Sequence, residues 1–226
     1  MESNAETSQS HRSSSRRVIL LSAAIIAVVI ILDQWLKFWV KTSFYLGEDL
    51  EICSWFHLLF VQNPGMAFGW SMGSKLALTL FRIVAIAAGV WYLARLSRRS
   101  GVPTGFVVCI SLIVAGAIGN VIDCMFYGMV FDNPMPPHLA TFLPANGGYA
   151  PFLHGQVVDM LYFPLFSFTW PAWIPGIGGD EFVFFHPIFN LADAAISVGV
   201  IALILFYSKY LSLKPSADDD EAATEA

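Results

Sequence analysis

Four apolar runs of about 20 residues each constrain this chain more than any other feature: 18–40, 76–94, 103–122 and 187–207. A helix rises about 1.5 Å per residue and the hydrocarbon of a bilayer is about 30 Å thick, so each run is long enough to cross. No water at that depth can hydrogen-bond a bare backbone, which leaves the helix as the form such a run takes. The sequence therefore predicts an all-α membrane protein with four transmembrane helices. Only 13% of its 226 residues are charged, against about a quarter in an average soluble domain.

Lys and Arg are spread unevenly around those runs. Arg12, Arg16 and Arg17 precede the first; Arg95, Arg98 and Arg99 join the second to the third; Lys209 and Lys214 follow the fourth. From Cys124 to His186 there is neither Lys nor Arg. The positive-inside rule then places both termini and the 95–102 loop in the cytoplasm, with the long loops 41–75 and 123–186 outside. The net charge of −5 comes partly from the tail "ADDDEAATEA". Residues 208–226 are thus expected to form a solvated acidic tail, and the Ser/Arg-rich residues 1–17 a disordered one. No basic footprint for nucleic acid survives this distribution. A signal peptide is the competing reading of the N-terminus, but the apolar run continues through "LDQWLKFWV" without a small-residue cleavage site. Cys53, Cys109 and Cys124 are odd in number and scattered, and the five His lack HExxH-like spacing. Neither a disulfide framework nor a metal site is expected.

The first outer loop, "LEICSWFHLLFVQNPGMAFGW", mixes β-branched and aromatic residues with a turn signal at Asn63-Pro64-Gly65. A short strand or two around that turn is expected, on the membrane surface. The second divides into a Pro/Gly-rich insert (133–151), the run "GQVVDMLYF", and the Pro-broken aromatic stretch "PLFSFTWPAWIPGIGGDEFVFF". Its Trp and Phe rings suit the headgroup region.

Charged and amide side chains inside spans are functional candidates by default. Asp33 and Lys37, one turn apart, can pair on the first span. Asn120 and Asp123 share a face at the outer end of the third, as do Asn190 and Asp193 on the fourth. Counted from 187, Asp193 lies about 9 Å inside. All three pairs reach a similar depth, which points to one polar site. Each also has a packing explanation: interhelical polar contacts hold membrane bundles together, and "AGAIG" before Asn120 permits close helix approach. Arg82, in the second span, can snorkel outward or pair with a carboxylate.

Two carboxylates that share a site cannot both ionise cheaply, so together they hold one proton. The ionised member can take a proton from water while the protonated one polarises a carbonyl, which hydrolyses an amide without metal or covalent intermediate. An ion- or proton-coupled transporter would also carry intramembrane carboxylates, but at the bilayer midplane and often with repeats. Here they crowd one interface. A membrane scaffold is the third alternative.

The ordered set "LDQWLKFWV", "NPGMAFG", "GNVID", "GQVVDM" and "FNLAD" resembles the lipoprotein signal peptidases (signal peptidase II), bacterial intramembrane aspartyl peptidases. The resemblance covers residues 18 to 207. It implies four spans, a small extracytoplasmic β-cradle and an interfacial loop or helix over the site. The enzyme would be monomeric, surrounded by phospholipid in the inner membrane, without cofactor. It would cut lipid-modified prolipoproteins before the modified cysteine, near the outer face. Asp193 would be one catalytic carboxylate; Asp33, Lys37, Asn63, Gly65, Asn120, Asp123 and Asn190 would line or brace the site.

Two positions depart from the family pattern. Cys124 stands where Arg follows the Asp of "GNxxD", and Arg82 is the candidate to replace it. The acid of the "GxVvD" motif also has two claimants. Spacing from Asp123 favours Asp132, whereas local sequence favours Asp159, since "NPMPP" after Asp132 makes an exposed turn. Residues 128–156 are read as an insertion, and Asp159 is taken as the partner of Asp193.

Overall fold

The computed structural model describes residues 2–64, 75–99 and 101–211. Helices α1 (Glu2–Ser43), α2 (Lys75–Leu96), α3 (Thr104–Ile122) and α5 (Leu191–Leu211) form the bundle. Among the described residues, four helical segments are long and apolar enough to cross a membrane: Ser15–Ser43, Leu76–Leu96, Thr104–Val130 and Leu191–Tyr210. α1 begins upstream of its span, so residues 2–17 are helical where no regular structure was expected. Extending an existing helix avoids the nucleation cost.

The third span passes Ile122 through a π turn, Asp123–Tyr127, into the short α4, Gly128–Val130. The fourth begins later than its apolar run. Residues Ile188–Phe189 form β6, which pairs with Leu161 and Tyr162. An apolar run alone does not separate strand from helix, and here its first residues are used in a sheet. Asp193 is consequently in the first turn of α5 and not about 9 Å inside it.

At this end of the bundle lies a four-stranded antiparallel sheet in which residues 49–53, 56–63 and 157–162 (β1, β2 and β3) and then β6 lie side by side in that order. β1 (Asp49–Cys53) and β2 (Phe56–Asn63) form a hairpin that turns at Ser54-Trp55. The Asn63-Pro64-Gly65 signal instead ends β2, because proline has no N–H to continue a ladder; Gly65 lies outside the described residues. β3 (Val157–Tyr162) carries Asp159. A separate ribbon, β4 (Phe166–Thr169) with β5 (Glu181–Phe184), occupies the aromatic stretch. Among the described residues, no separate helix covers the sheet.

α3 is the central helix. Its buried side includes Ala115, Gly116, Gly119 and Asn120, and these small residues bring α1 and α5 close. A Cβ on Gly119 would sit 2.8 Å from Asp33 Oδ2 and 3.1 Å from the Ala192 Cβ. Large apolar side chains such as Leu20, Phe81, Val84, Leu205 and Phe206 remain exposed on the bundle's outside, the pattern that surrounding lipid requires.

The insert is a closed excursion. The Ala150 N–H donates to Gly128 O at 2.9 Å, and the Gly155 N–H to Cys124 O at 2.9 Å. The chain thus returns to the turn it left, and β3 starts against the end of α3. A side chain at 155 would run into the Asp123 carbonyl, so the approach requires glycine. The insert is fastened to the bundle by Lys41, whose buried ammonium has no hydrogen-bond acceptor among the described residues. It lies 5.3 Å from the Phe131 ring centroid, 5.1 Å from Tyr149 and 5.9 Å from Phe60, within cation–π range.

Candidate active site

The period of two along β3 answers how Asp159 sits in an apolar run. Val158 and Met160 point into a hydrophobic cluster with Val40, Phe60 and Phe131. Asp159 points to the other face of the sheet. It is 2% exposed, so its carboxyl must find partners within the protein. Asn190 Nδ2 donates to its Oδ1 at 2.6 Å. Asn63 also hydrogen-bonds it; the pairing of Asn63 with Val157 makes Asn63 its diagonal neighbour on the same face.

Asn190 holds Asp193 as well. It occupies the N-cap of α5: its Oδ1 accepts from the Asp193 N–H at 2.9 Å, while the Asn190 N–H points back to Asp193 Oδ2 at 3.4 Å. This reciprocal arrangement is a capping box built from Asn and Asp. Asn120 Nδ2 donates to Asp193 Oδ1 at 2.7 Å, and Asn120 Oδ1 accepts from Asn190 Nδ2 at 3.1 Å. Two amides from two helices therefore fix both carboxylates, and half-buried Asp193 is the more open of the pair.

Behind the amides lies an ionic group that closes the bundle. Lys37 Nζ lies 3.0 Å from Asp33 Oδ2 and 2.8 Å from Asp123 Oδ2, and donates to Asn120 Oδ1 at 2.9 Å. All four side chains are buried. Asp33 Oδ1 accepts the Ala192 N–H at 2.9 Å, so a residue of α1 satisfies an orphan donor in the first turn of α5. Asp123 accepts the Val158 N–H at 3.2 Å, which ties the π turn to β3 beside Asp159. Opened π turns of this kind frequently occur at functional sites.

The structure thus brings together Asp33, Lys37, Asn63, Asn120, Asp123, Asp159, Asn190 and Asp193. Asp132 is elsewhere: its carboxylate accepts the Thr141 N–H at 2.7 Å and contacts His138 Nε2 at 2.9 Å, a local loop arrangement. Burial pushes its carboxyl up, but the bonds from Thr141 and His138 and the charge of His138 together outweigh it and hold the carboxyl below the usual range. Arg82 Nη1 reaches Cys124 Sγ at 3.5 Å. The guanidinium therefore lies beside the position at which the family pattern expects one.

Gln34 escaped sequence reasoning. Its Nε2 donates to Asp123 Oδ1 at 2.9 Å, Asp33 Oδ2 at 3.1 Å and Gly119 O at 3.2 Å, joining α1 to α3. The signal was present, since an amide inside a span is a candidate by default. Asp159 itself lies outside the helices. Burial, then the charge of Asp193, push its carboxyl up to about 7, against the hydrogen bonds from Asn190 and Asn63 and the charge of Lys37. No group of three or more His, Cys, Asp or Glu among the described residues could hold a metal ion.

Fold and site together define a four-helix membrane protein with paired carboxylates at one mouth of the bundle. Comparison with known proteins narrows this. The family model for signal peptidase (SPase) II matches residues 25–209. A lipoprotein signal peptidase of Porphyromonas gingivalis is 49% identical over 184 residues, covering 81% of each chain. One from Amoebophilus asiaticus is 38% identical, over 78% of this chain and 72% of that one. A solved bacterial membrane enzyme shares the fold with a TM-score of 0.56 at 24% identity, over 86% of this chain and 92% of the other. The chain belongs to the signal peptidase II family, the proteases that process prolipoproteins.

Proposed function

We propose that this protein is an aspartyl endopeptidase that removes the signal peptide of lipid-modified prolipoproteins, cutting before the diacylglyceryl-cysteine, with Asp159 and Asp193 as the catalytic pair. The observation that carries the reading is the shared amide bracket. Asn190 reaches the Asp159 carboxylate through its side-chain amide and the Asp193 carboxylate through its backbone N–H, and Asn120 touches Asp193 and Asn190, while nothing comparable among the described residues surrounds Asp132.

Water bound between the carboxylates gives a proton to Asp193, the more open of the two, and attacks the scissile carbonyl. Asp159, buried and near half-protonated at neutral pH, donates a hydrogen bond to the carbonyl oxygen. As the tetrahedral intermediate collapses, the proton on Asp193 passes to the leaving amine. Asn120 and Asn190 act as positioning residues. Lys37 neutralises part of the surrounding negative charge and anchors Asn120. The Lys and Arg distribution supports an orientation with both termini in the cytoplasm and the site facing outward; Asp193, in the first turn of α5, is then within reach of the leaflet that holds the substrate.

The test is cleavage of a diacylglyceryl-modified prolipoprotein by purified, folded wild type and by Asp159→Asn, Asp193→Asn and Asp132→Asn. The first two variants are expected to lose cleavage and the third to keep it. Loss in Asp132→Asn with retention in Asp159→Asn would overturn the pairing.

A further inference from the structure

The β4–β5 ribbon is amphipathic. Residues directly opposite in an antiparallel pair share a face. The register sets Phe166 opposite Phe184 and Phe168 opposite Phe182 on one side, with Ser167 opposite Val183 and Thr169 opposite Glu181 on the other. The first side is a ladder of rings: Phe166 and Phe184 stack at 4.8 Å and 7°, and Phe168 contacts Phe182 at 5.1 Å and Trp170 at 4.9 Å. All four Phe are exposed, and Trp173 at the tip is 80% exposed.

A two-stranded ribbon alone is marginally stable in water, and it needs a surface against its apolar side. Among the described residues, the ribbon pairs with no third strand. At roughly 100 Å² for each half-exposed ring, the ladder with Trp170 and Trp173 presents on the order of 600 Å² of apolar surface. That is the upper end of what a soluble monomer leaves bare.

The position of the ribbon selects its partner. It is joined to β3 and β6 by three residues on each side, which holds its root within about 14 Å of the strand ends. β6 leads directly into α5, so the root lies where that helix enters the membrane. Phe163 and Phe185 continue the aromatic surface onto Phe189 of the main sheet at 5.7 and 6.1 Å. The only charges in the segment 163–187 are Asp180 and Glu181 on the far end, with no Lys or Arg. A basic surface would favour an acidic partner; a neutral aromatic one fits the boundary of headgroups and acyl chains.

We infer that the β4–β5 ribbon is a membrane-resting paddle: its aromatic face lies in the phospholipid leaflet at the loop end of the bundle, with Ser167, Thr169 and Glu181 turned to water. The paddle would hold β3, and with it Asp159, at a fixed height above the acyl chains. This inference rests on the four-helix membrane fold and not on the proposed chemistry.

The test uses the full chain in vesicles of phosphatidylethanolamine with a minor share of phosphatidylglycerol. A benzophenone amino acid replaces Phe168 or Phe182 on the aromatic face, Ser167 on the other, or Phe206 on the exposed side of α5 as a lipid-facing control. After irradiation, mass spectrometry identifies what each position captured. Phospholipid adducts are expected at 168 and 182 at a yield close to that at 206, and several-fold above that at 167. Phe206 reports in each preparation that the bundle is inserted. Equal yields on both faces, no lipid at 168 and 182 while 206 labels, or capture of protein would each overturn the proposal. So would adducts that form only when lipid-modified substrate is added, which would make the face a substrate site.

Discussion

Replacing Asp159 by Asn tests the electrostatics of the site without changing its shape. Asn is close in size to a protonated Asp, and its oxygen can still accept from Asn190 Nδ2, now at 2.6 Å from Asp159 Oδ1. In the folded wild type the carboxyl titrates at about 7, raised first by burial and then by Asp193; in the unfolded chain it titrates near 3.9. A folded pKa above the unfolded one means that the folded state binds the extra proton. The stabilisation is therefore complete below about pH 4 and is lost as pH rises through about 7. About three pH units at 1.36 kcal/mol each make about 4 kcal/mol, as an upper estimate. Asn carries no charge at any pH, so the variant should match wild type near pH 4 and exceed it by up to about 4 kcal/mol at pH 9. Thermal unfolding in detergent micelles across that range measures the difference, with cleavage abolished throughout. Parallel stability curves for the two proteins would refute the argument that burial and Asp193 hold this carboxyl protonated.

The same proton should appear in the wild-type kinetics: kcat/KM for prolipoprotein cleavage falls as pH rises through about 7, with an apparent value that belongs to the pair. Lys37→Met leaves Asp33 and Asp123 buried without their cation and should destabilise the protein by about 3–5 kcal/mol, read by thermal unfolding. Gly119→Ala forces a Cβ against Asp33 Oδ2, which Lys37 and Gln34 hold in place. A loss of about 1–3 kcal/mol is expected, with reduced cleavage as α1 and α5 are pushed from α3. Arg82→Ala removes the contact with Cys124 and should lower stability by about 1 kcal/mol; unchanged stability and cleavage would show that this Arg replaces nothing.

The polar residues of the helices were legible in the sequence because helical neighbours are local. Asp33 and Lys37 meet because they are four positions apart, and Asn190 and Asp193 because they are three apart. β3 was harder. Counting from Asp123 measures contour along the chain, and the 26 residues between Asp132 and Asp159 leave and return to the same turn through Ala150 and Gly155. Contour then says nothing about distance. The β6 strand was hidden for a related reason: apolar residues before α5 satisfy a sheet as readily as a span, and only pairing with β3 decides.

By itself, the sequence determined that this chain lives in a membrane, that four segments cross it, and that its polar side chains gather at one end. Those properties follow from hydropathy, length and the 3.6-residue period, which act within a single segment. Tertiary structure decided which groups meet at the mouth of the bundle and which only share its helices. Asp33 capping α5 through Ala192, Gln34 bridging two carboxylates, Lys41 fastening the insert and Asn190 joining Asp159 to Asp193 are contacts between distant segments. A buried polar atom takes whichever partner the packing delivers, and no spacing along the chain encodes that choice.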